Sequence, residues 1–218
     1  PPRSTPKPSS AASDVYKRQF YYITTMNENY EHPPMPKGVE EGIIKGMYKL
    51  LPAKKPVIRL LGSGSILNES IKAKELLSTY GIESEVWSVT SFNLLRKDGM
   101  EIERINQLNP TKKEQKTYVE ECFEDNPIPV VASTDYMRSY AEQIRPYVKS
   151  DYTVLGTDGF GRSDSRESLR EFFEIDANSI VRAAAYTLHK NKIMDKTQLK
   201  KIYDDIEVDP LKPNPWEV

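Results

Sequence analysis

The stretch that most constrains this chain is Val57 to Leu67, VIRLLGSGSIL. An apolar run meets Gly62-Ser63-Gly64-Ser65, and an amphipathic stretch follows. That pattern predicts strand, tight turn and helix. Gly62 and Gly64 lack a Cβ, so the backbone can turn sharply and approach its neighbours closely there. Ser63 or Ser65 is the natural cap of the helix that follows. A helix start of this kind leaves backbone N–H groups free to attract an anion. The dinucleotide-binding fingerprint wants a third glycine, and Leu67 stands in its place. The turn therefore reads first as a structural βα connection, with a phosphate site as its alternative.

The 218 residues suit one large domain, or one domain with attachments. A formal net charge of -1 gives no electrostatic case for nucleic acid or an anionic membrane. A single cysteine, Cys122, rules out an intramolecular disulfide and fits a reducing compartment, so a cytoplasmic location is expected. No apolar run reaches the length of a membrane-spanning helix, and no secretory signal is read in the Pro- and Ser-rich start. His32 and His189 lie far apart, and no metal-ligand spacing appears.

Residues 1–19 hold almost nothing to bury and read as disordered, with SAASDVYKRQ resembling an appended, non-native segment. Phe20 to Met26, FYYITTM, reads as a buried strand. The prolines at 33, 34 and 36 require an extended path. Gly38 to Leu51 reads as a helix on the spacing of Val39, Ile43, Met47 and Leu50. Gly42 and Gly46 weaken that helix but offer a groove where another backbone can pack. Pro52 to Pro56 reads as a break and a domain boundary.

From Val57 on, strands alternate with helices. Ile66, Ile71, Leu76 and Leu77 mark the inward face of the first helix, with Gly81 at its end. Ile82 to Thr90 reads as a strand, and a helical region from Ser91 is expected to be interrupted near Asp98-Gly99. Tyr118 to Phe123 is a short helix and Pro129 to Ser133 a buried strand. Thr134 or Asp135 is expected to cap a helix bearing Tyr136, Tyr140 and Ile144. Tyr152 to Gly156 is a strand that leads into a loop, Thr157 to Asp164. Ser163 or Asp164, then Asp176, then Thr197 mark the starts of three closing helices, and the Pro-rich end reads as extended. The alternation implies an α/β fold, three-layered, with a mainly parallel sheet. Ligands of such sheets sit beyond the C-terminal strand ends. Here those ends are the Gly62 loop, Ser91, Thr134-Asp135 and Thr157 to Arg162.

The loop TDGFGRSD is the most distinctive local feature. Arg162 is a candidate bidentate donor to a phosphate or carboxylate. The structural reading is stronger: Asp158 and Arg162 pair with each other or with a neighbouring element, and with Asp164 they organise the loop. Glu28 and His32 would form an acid/base pair only if they projected together, which Pro33 and Pro34 disfavour. Cys122 lies beside Glu120 and Glu121, which raise a thiol pKa and argue against a nucleophile. These residues alone define an α/β domain with a candidate anion site.

The strings YYITTMNENYEHPPMPKGVEEGIIKGMYKL, LLGSGSIL, VWSVTSF, STDYMR and LGTDGFGRSDSRE occur in order and cover nearly everything from Phe20 onward. In them the chain resembles the homodimeric type of pyruvate dehydrogenase E1, a thiamine-diphosphate-dependent enzyme of the transketolase-like superfamily. The resemblance implies that residues 20–56 end a middle, pyrimidine-binding domain with its exit helix. It implies that residues 57–218 form a transketolase-type C-terminal domain. It implies an enzyme that decarboxylates pyruvate and reductively acetylates lipoyl groups of an E2 component. Thiamine diphosphate and Mg²⁺ belong to the full-length enzyme. The Gly-Asp-Gly metal motif of that family is absent here, and Asp158-Gly159-Phe160 is not its equivalent, so no catalytic, cofactor-binding or metal residue is carried onto this chain.

The implied partners are the upstream domains of the same chain, a second copy in a homodimer, and the E2 acetyltransferase. Gly42, Gly46 and the Asp158 to Asp164 loop are then expected to face other parts of that assembly. Two alternatives stand beside this reading: a stand-alone, non-catalytic α/β assembly module, and a subunit of another 2-oxoacid dehydrogenase.

Overall fold

A computed structural model describes residues 29–30 and 32–217. The expected strand Phe20 to Met26 and the Glu28 side of the Glu28–His32 pair lie outside the described residues. The chain divides into two units, Pro1–Pro34 and Met35–Val218. The elements below belong to the second.

That unit contains α1 (Glu40–Lys45), β1 (Met47–Leu51), β2 (Ile58–Ser63), α2 (Ile66–Thr79), β3 (Ser84–Val89), α3 (Phe92–Leu108), α4 (Tyr118–Phe123) and β4 (Val130–Ser133). It continues with α5 (Arg138–Glu142), β5 (Tyr152–Leu155), α6 (Arg166–Phe172), α7 (Ala177–Lys190) and α8 (Lys196–Asp205). The five strands form one sheet in the order β1-β3-β2-β4-β5. β3, β2, β4 and β5 run parallel, and β1 closes one edge antiparallel to β3.

The sheet is covered on both faces, which is why β3 and β4 are buried along their whole length. On one face α2, α6, α7 and α8 pack a core around Leu60, Val86, Ile180 and Ala184. On the other, α3, α4 and α5 pack a core around Leu61, Trp87, Phe92 and Ile144. The three-layer α/β reading therefore holds.

The βα unit at Val57 forms as expected, with Ile66 and Leu77 buried on α2 and Ile71 and Leu76 packed beside them. Gly81 takes φ +74°. Its N–H donates to Ser78 O, while Ile82 N–H reaches Leu77 O, which closes the helix in a Schellman turn. Asp176 caps α7 by accepting from Ser179 N–H.

Four expectations are corrected. The helix from Gly38 stops at Lys45, because Gly46 turns the chain at φ +117° and Met47–Leu51 becomes a strand. Pro52 to Pro56 therefore joins two strands of one sheet. α3 runs through Gly99 without a break, since a Cβ there would lie 2.2 Å from the Tyr147 ring: the glycine makes room for packing. The caps of α6 and α8 fall on Ser165 and Asp195 rather than on Ser163 or Asp164 and Thr197. The C-terminal segment ends in a 3-10 turn at Pro215–Glu217 instead of remaining extended.

Candidate functional site

Sheet topology selects one place on this unit. From β2 the chain goes one way to β3 through α2 on one face. It then returns past β2 to β4 through α3 and α4 on the other. β2 and β4 are hydrogen-bonded neighbours, so the loops leaving their C-terminal ends diverge to opposite faces. Such a switch point is where open α/β sheets bind ligands. The loops that meet along this edge are Gly62–Ser65, Thr134–Met137 and Gly156–Asp164.

An aspartate occupies the switch point. Gly64 turns at φ +58°, and Asp135 Oδ1 lies 3.5 Å from where a Gly64 Cβ would be. The buried Ser65 hydroxyl donates to Asp135 Oδ2 at 3.4 Å instead of capping α2. The start of α2, read from sequence as a place for an anion, thus already faces a carboxylate of the chain itself. Asp135 does not cap a helix either. Thr134 Oγ1 accepts from Tyr136 N–H at 3.2 Å, and the Thr157 hydroxyl donates to Asp135 O at 2.7 Å. The Thr157 N–H also reaches Tyr136 O, so the β4 and β5 exit loops are locked side by side.

α5 begins three residues later than expected, at Arg138. Its first N–H donates to Asp158 Oδ1 at 3.0 Å, and the Arg138 guanidinium lies 3.5 Å from Asp158 Oδ2. Asp158 therefore pairs with a neighbouring element, one of the two structural arrangements expected for it. Arg138 also stacks over the Trp216 ring at 5.4 Å. Gly159, at φ +107°, packs against Pro215 and Trp216, with no space for a side chain.

Arg162 stands over Phe172 at 4.4 Å. Asp164 Oδ1 accepts the Ser165 N–H at 2.6 Å, one residue before α6. Asp158 and Asp164 organise this loop, whereas Arg162 is held on α6. Gly42 and Gly46 lie elsewhere and pack on the chain itself. A Cβ on Gly42 would meet Met47 O at 2.8 Å and Tyr118 Oη at 3.0 Å. One on Gly46 would meet Ser91 O at 2.7 Å. The backbone expected to fit their groove is this chain's own β3–α3 turn, not another part of an assembly.

Cys122 is half-buried, and burial pushes its thiol up, with Glu121 adding to the shift and Tyr118 opposing it. That argues against a nucleophile. Among the described residues no three His, Cys, Asp or Glu side chains could together hold a metal ion. The switch point does not fit a diphosphate: its nearest charge is the Asp135 carboxylate, which would repel one. No step through thiamine diphosphate is therefore placed on these residues. Sequence reasoning found the Gly62 loop but missed the Ser65–Asp135 and Arg138–Asp158 contacts. Both join residues far apart in the chain, and only their shared position at strand ends hinted at them.

Among the described residues no helix is long and apolar enough to cross a membrane. A family model described as "Transketolase-like TK C-terminal domain" matches residues 46–176. The chain is 53% identical over 203 residues to a pyruvate dehydrogenase E1 component of Pseudomonas aeruginosa, covering 91% of this chain and 23% of that protein. It is 50% identical over 200 residues to a pyruvate dehydrogenase E1 component of Escherichia coli, covering 90% of this chain and 22% of that protein. The chain thus spans less than a quarter of the length of these relatives. A transketolase structure from Leishmania mexicana superposes with a TM-score of 0.51 at 21% identity, over 69% of this chain and 19% of that one, and shares the fold. With its covered, mainly parallel sheet and the match over residues 46–176, the chain belongs to the transketolase-like C-terminal domain family.

Proposed function

We propose that this chain is the C-terminal part of a pyruvate dehydrogenase E1, the component that decarboxylates pyruvate and reductively acetylates the lipoyl groups of E2. The observation that carries the reading is the identity of 53% and 50% to proteins of that name across about nine tenths of the chain. In this reading thiamine diphosphate and Mg²⁺ are held by upstream domains. The residues described here support dimerisation and assembly, and the isolated chain is not catalytic. The carboxylate at the switch point supports that division, because it makes this edge a poor diphosphate site.

Calorimetric titration of thiamine diphosphate with Mg²⁺ tests the proposal. This chain is expected to give no binding heat, and the longer protein to bind the cofactor and release CO₂ from pyruvate. Stoichiometric, Mg²⁺-dependent binding to this chain would overturn the division of labour. Preference of the longer protein for 2-oxoisovalerate over pyruvate would overturn the substrate.

A further inference from the structure

We infer that the C-terminal edge of the sheet is a docking face, built around Tyr136, Met137, Phe160 and Trp216, and that its occupant is the upstream portion of the same, longer polypeptide. The inference rests on the reading of the chain as part of a longer E1. Four large apolar side chains are exposed here together, Phe160 to 82%, Met137 to 59%, Tyr136 to 58% and Trp216 to 48%. Contacts make them one surface. Tyr136 O receives the N–H of Thr157, Arg138 lies over Trp216, and the turn at Gly159 rests on Trp216. Aromatic and methionine side chains gathered in this way typify the centre of an interface rather than a solvated surface.

The patch is also rigid. Its backbone is fixed by Thr157 Oγ1 to Asp135 O, by Arg138 N to Asp158, and by close packing at Gly156 and Gly159. Prefixed aromatic anchors lose little freedom on docking.

The path of the chain selects the occupant. β1 runs antiparallel to β3 with Met47 opposite Val89, so β1 starts at the C-terminal end of β3. α1 precedes it there, held by the Thr90 hydroxyl on Ile43 O and by Thr90 and Ser91 N–H on Gly46 O. The polypeptide upstream of this unit is therefore attached at the same edge of the sheet as the exposed patch. The relatives are more than four times as long as the matched segment, so a large mass must be accommodated at that attachment.

Hydroxyl-radical footprinting of this chain and of the full-length protein, read by mass spectrometry, tests the inference. In the full-length protein Tyr136, Met137, Phe160 and Trp216 are expected to lose most of their labelling at every protein concentration. Leu108 and Ile193, exposed at the opposite edge, are expected to keep theirs. Unchanged labelling of the four residues would overturn the inference. Protection that appears only as the full-length protein self-associates would assign the face to a second copy and would equally overturn it. A full-length protein that lacks activity on pyruvate yet shows concentration-independent protection would remove the E1 reading and leave the docking face standing.

Discussion

Arg59 and Glu85 are register partners on the parallel strands β2 and β3, and their side chains pair at 2.5 Å with both almost fully buried. The guanidinium also donates to Asn126 O and lies 4.0 Å from the Phe123 ring centre. The carboxylate accepts the Trp87 indole N–H at 3.0 Å and meets Lys49 at 3.0 Å from the open side. The pair sits under the α4 side of the sheet, so an apolar face carries a charged centre that only works as a unit. Removing one partner strands the other charge in a place without water. Glu85→Gln is therefore expected to cost about 3–5 kcal/mol, read as a lower urea midpoint at constant slope. The double change Arg59→Met with Glu85→Leu should recover most of that loss. A single Glu85→Gln change that left the midpoint in place would show that the pair contributes nothing.

The same residue sets an acid limit. Burial alone would raise the Glu85 carboxyl, but the Trp87 N–H, the Arg59 charge and the hydrogen bond from Lys49 outweigh it and hold it below its usual value. Glu174 behaves alike: burial opposes, and Arg182, at 2.6 Å, prevails with Lys212. A carboxyl with a depressed folded-state pKa stabilises the protein above its unfolded pKa of about 4.3 and loses that contribution as pH falls through the folded value. Melting temperature should therefore hold down to about pH 5 and fall steeply below it. In Glu85→Gln the fall should be shallower, from a lower starting point. Parallel profiles for the two proteins would sink this assignment.

The alternation of apolar runs and turn residues from Val57 to Ile175 made the parallel sheet legible, because each βα unit carries its own punctuation. Met47–Leu51 was not legible, for a physical reason. β1 shifts register between Lys49 and Leu51, and this bulge buries Met47 and Leu50 three residues apart. That is the spacing of a helix, and it continues the phase of Val39 and Ile43. The signal against it was Gly46, whose left-handed turn ends α1. At the candidate site, the strand ends were legible as a location. The seating of Asp135 against Ser65 was not, because it depends on which strands become neighbours.

Gly99 gives a test of the misread break. A methyl group there would lie 2.2 Å from the Tyr147 ring, while alanine favours the helix by about 1 kcal/mol over glycine. Overpacking of this kind costs about 1–3 kcal/mol and should win, so Gly99→Ala is expected to lower stability. With Tyr147→Val in the background, the same change should become neutral or stabilising, because only the helix preference remains. A double-mutant cycle on denaturation midpoints reads the difference. Additive effects would mean that ring and glycine do not compete for space.

Asp158 separates charge from hydrogen bonding at the C-terminal edge. Its Oδ1 accepts the first N–H of α5 at 3.0 Å, so it caps that helix from a loop twenty residues along the chain. Its Oδ2 sits 3.5 Å from Arg138 Nε, and both side chains are partly exposed. Exposed ion pairs contribute little, about 0–1 kcal/mol, whereas losing a cap costs about 1 kcal/mol. Asp158→Asn keeps an acceptor for the N–H and removes the charge, so it should be nearly silent in thermal denaturation. Asp158→Ala removes both and should lower stability by about 1 kcal/mol. It should also speed amide exchange at Arg138 and release the loop that positions Phe160 and Trp216. Equal losses in the two variants would mean that the ion pair, not the cap, holds α5 to the β5 exit loop. The rigidity of the exposed aromatic surface would then depend on salt, which amide exchange at high ionic strength would reveal.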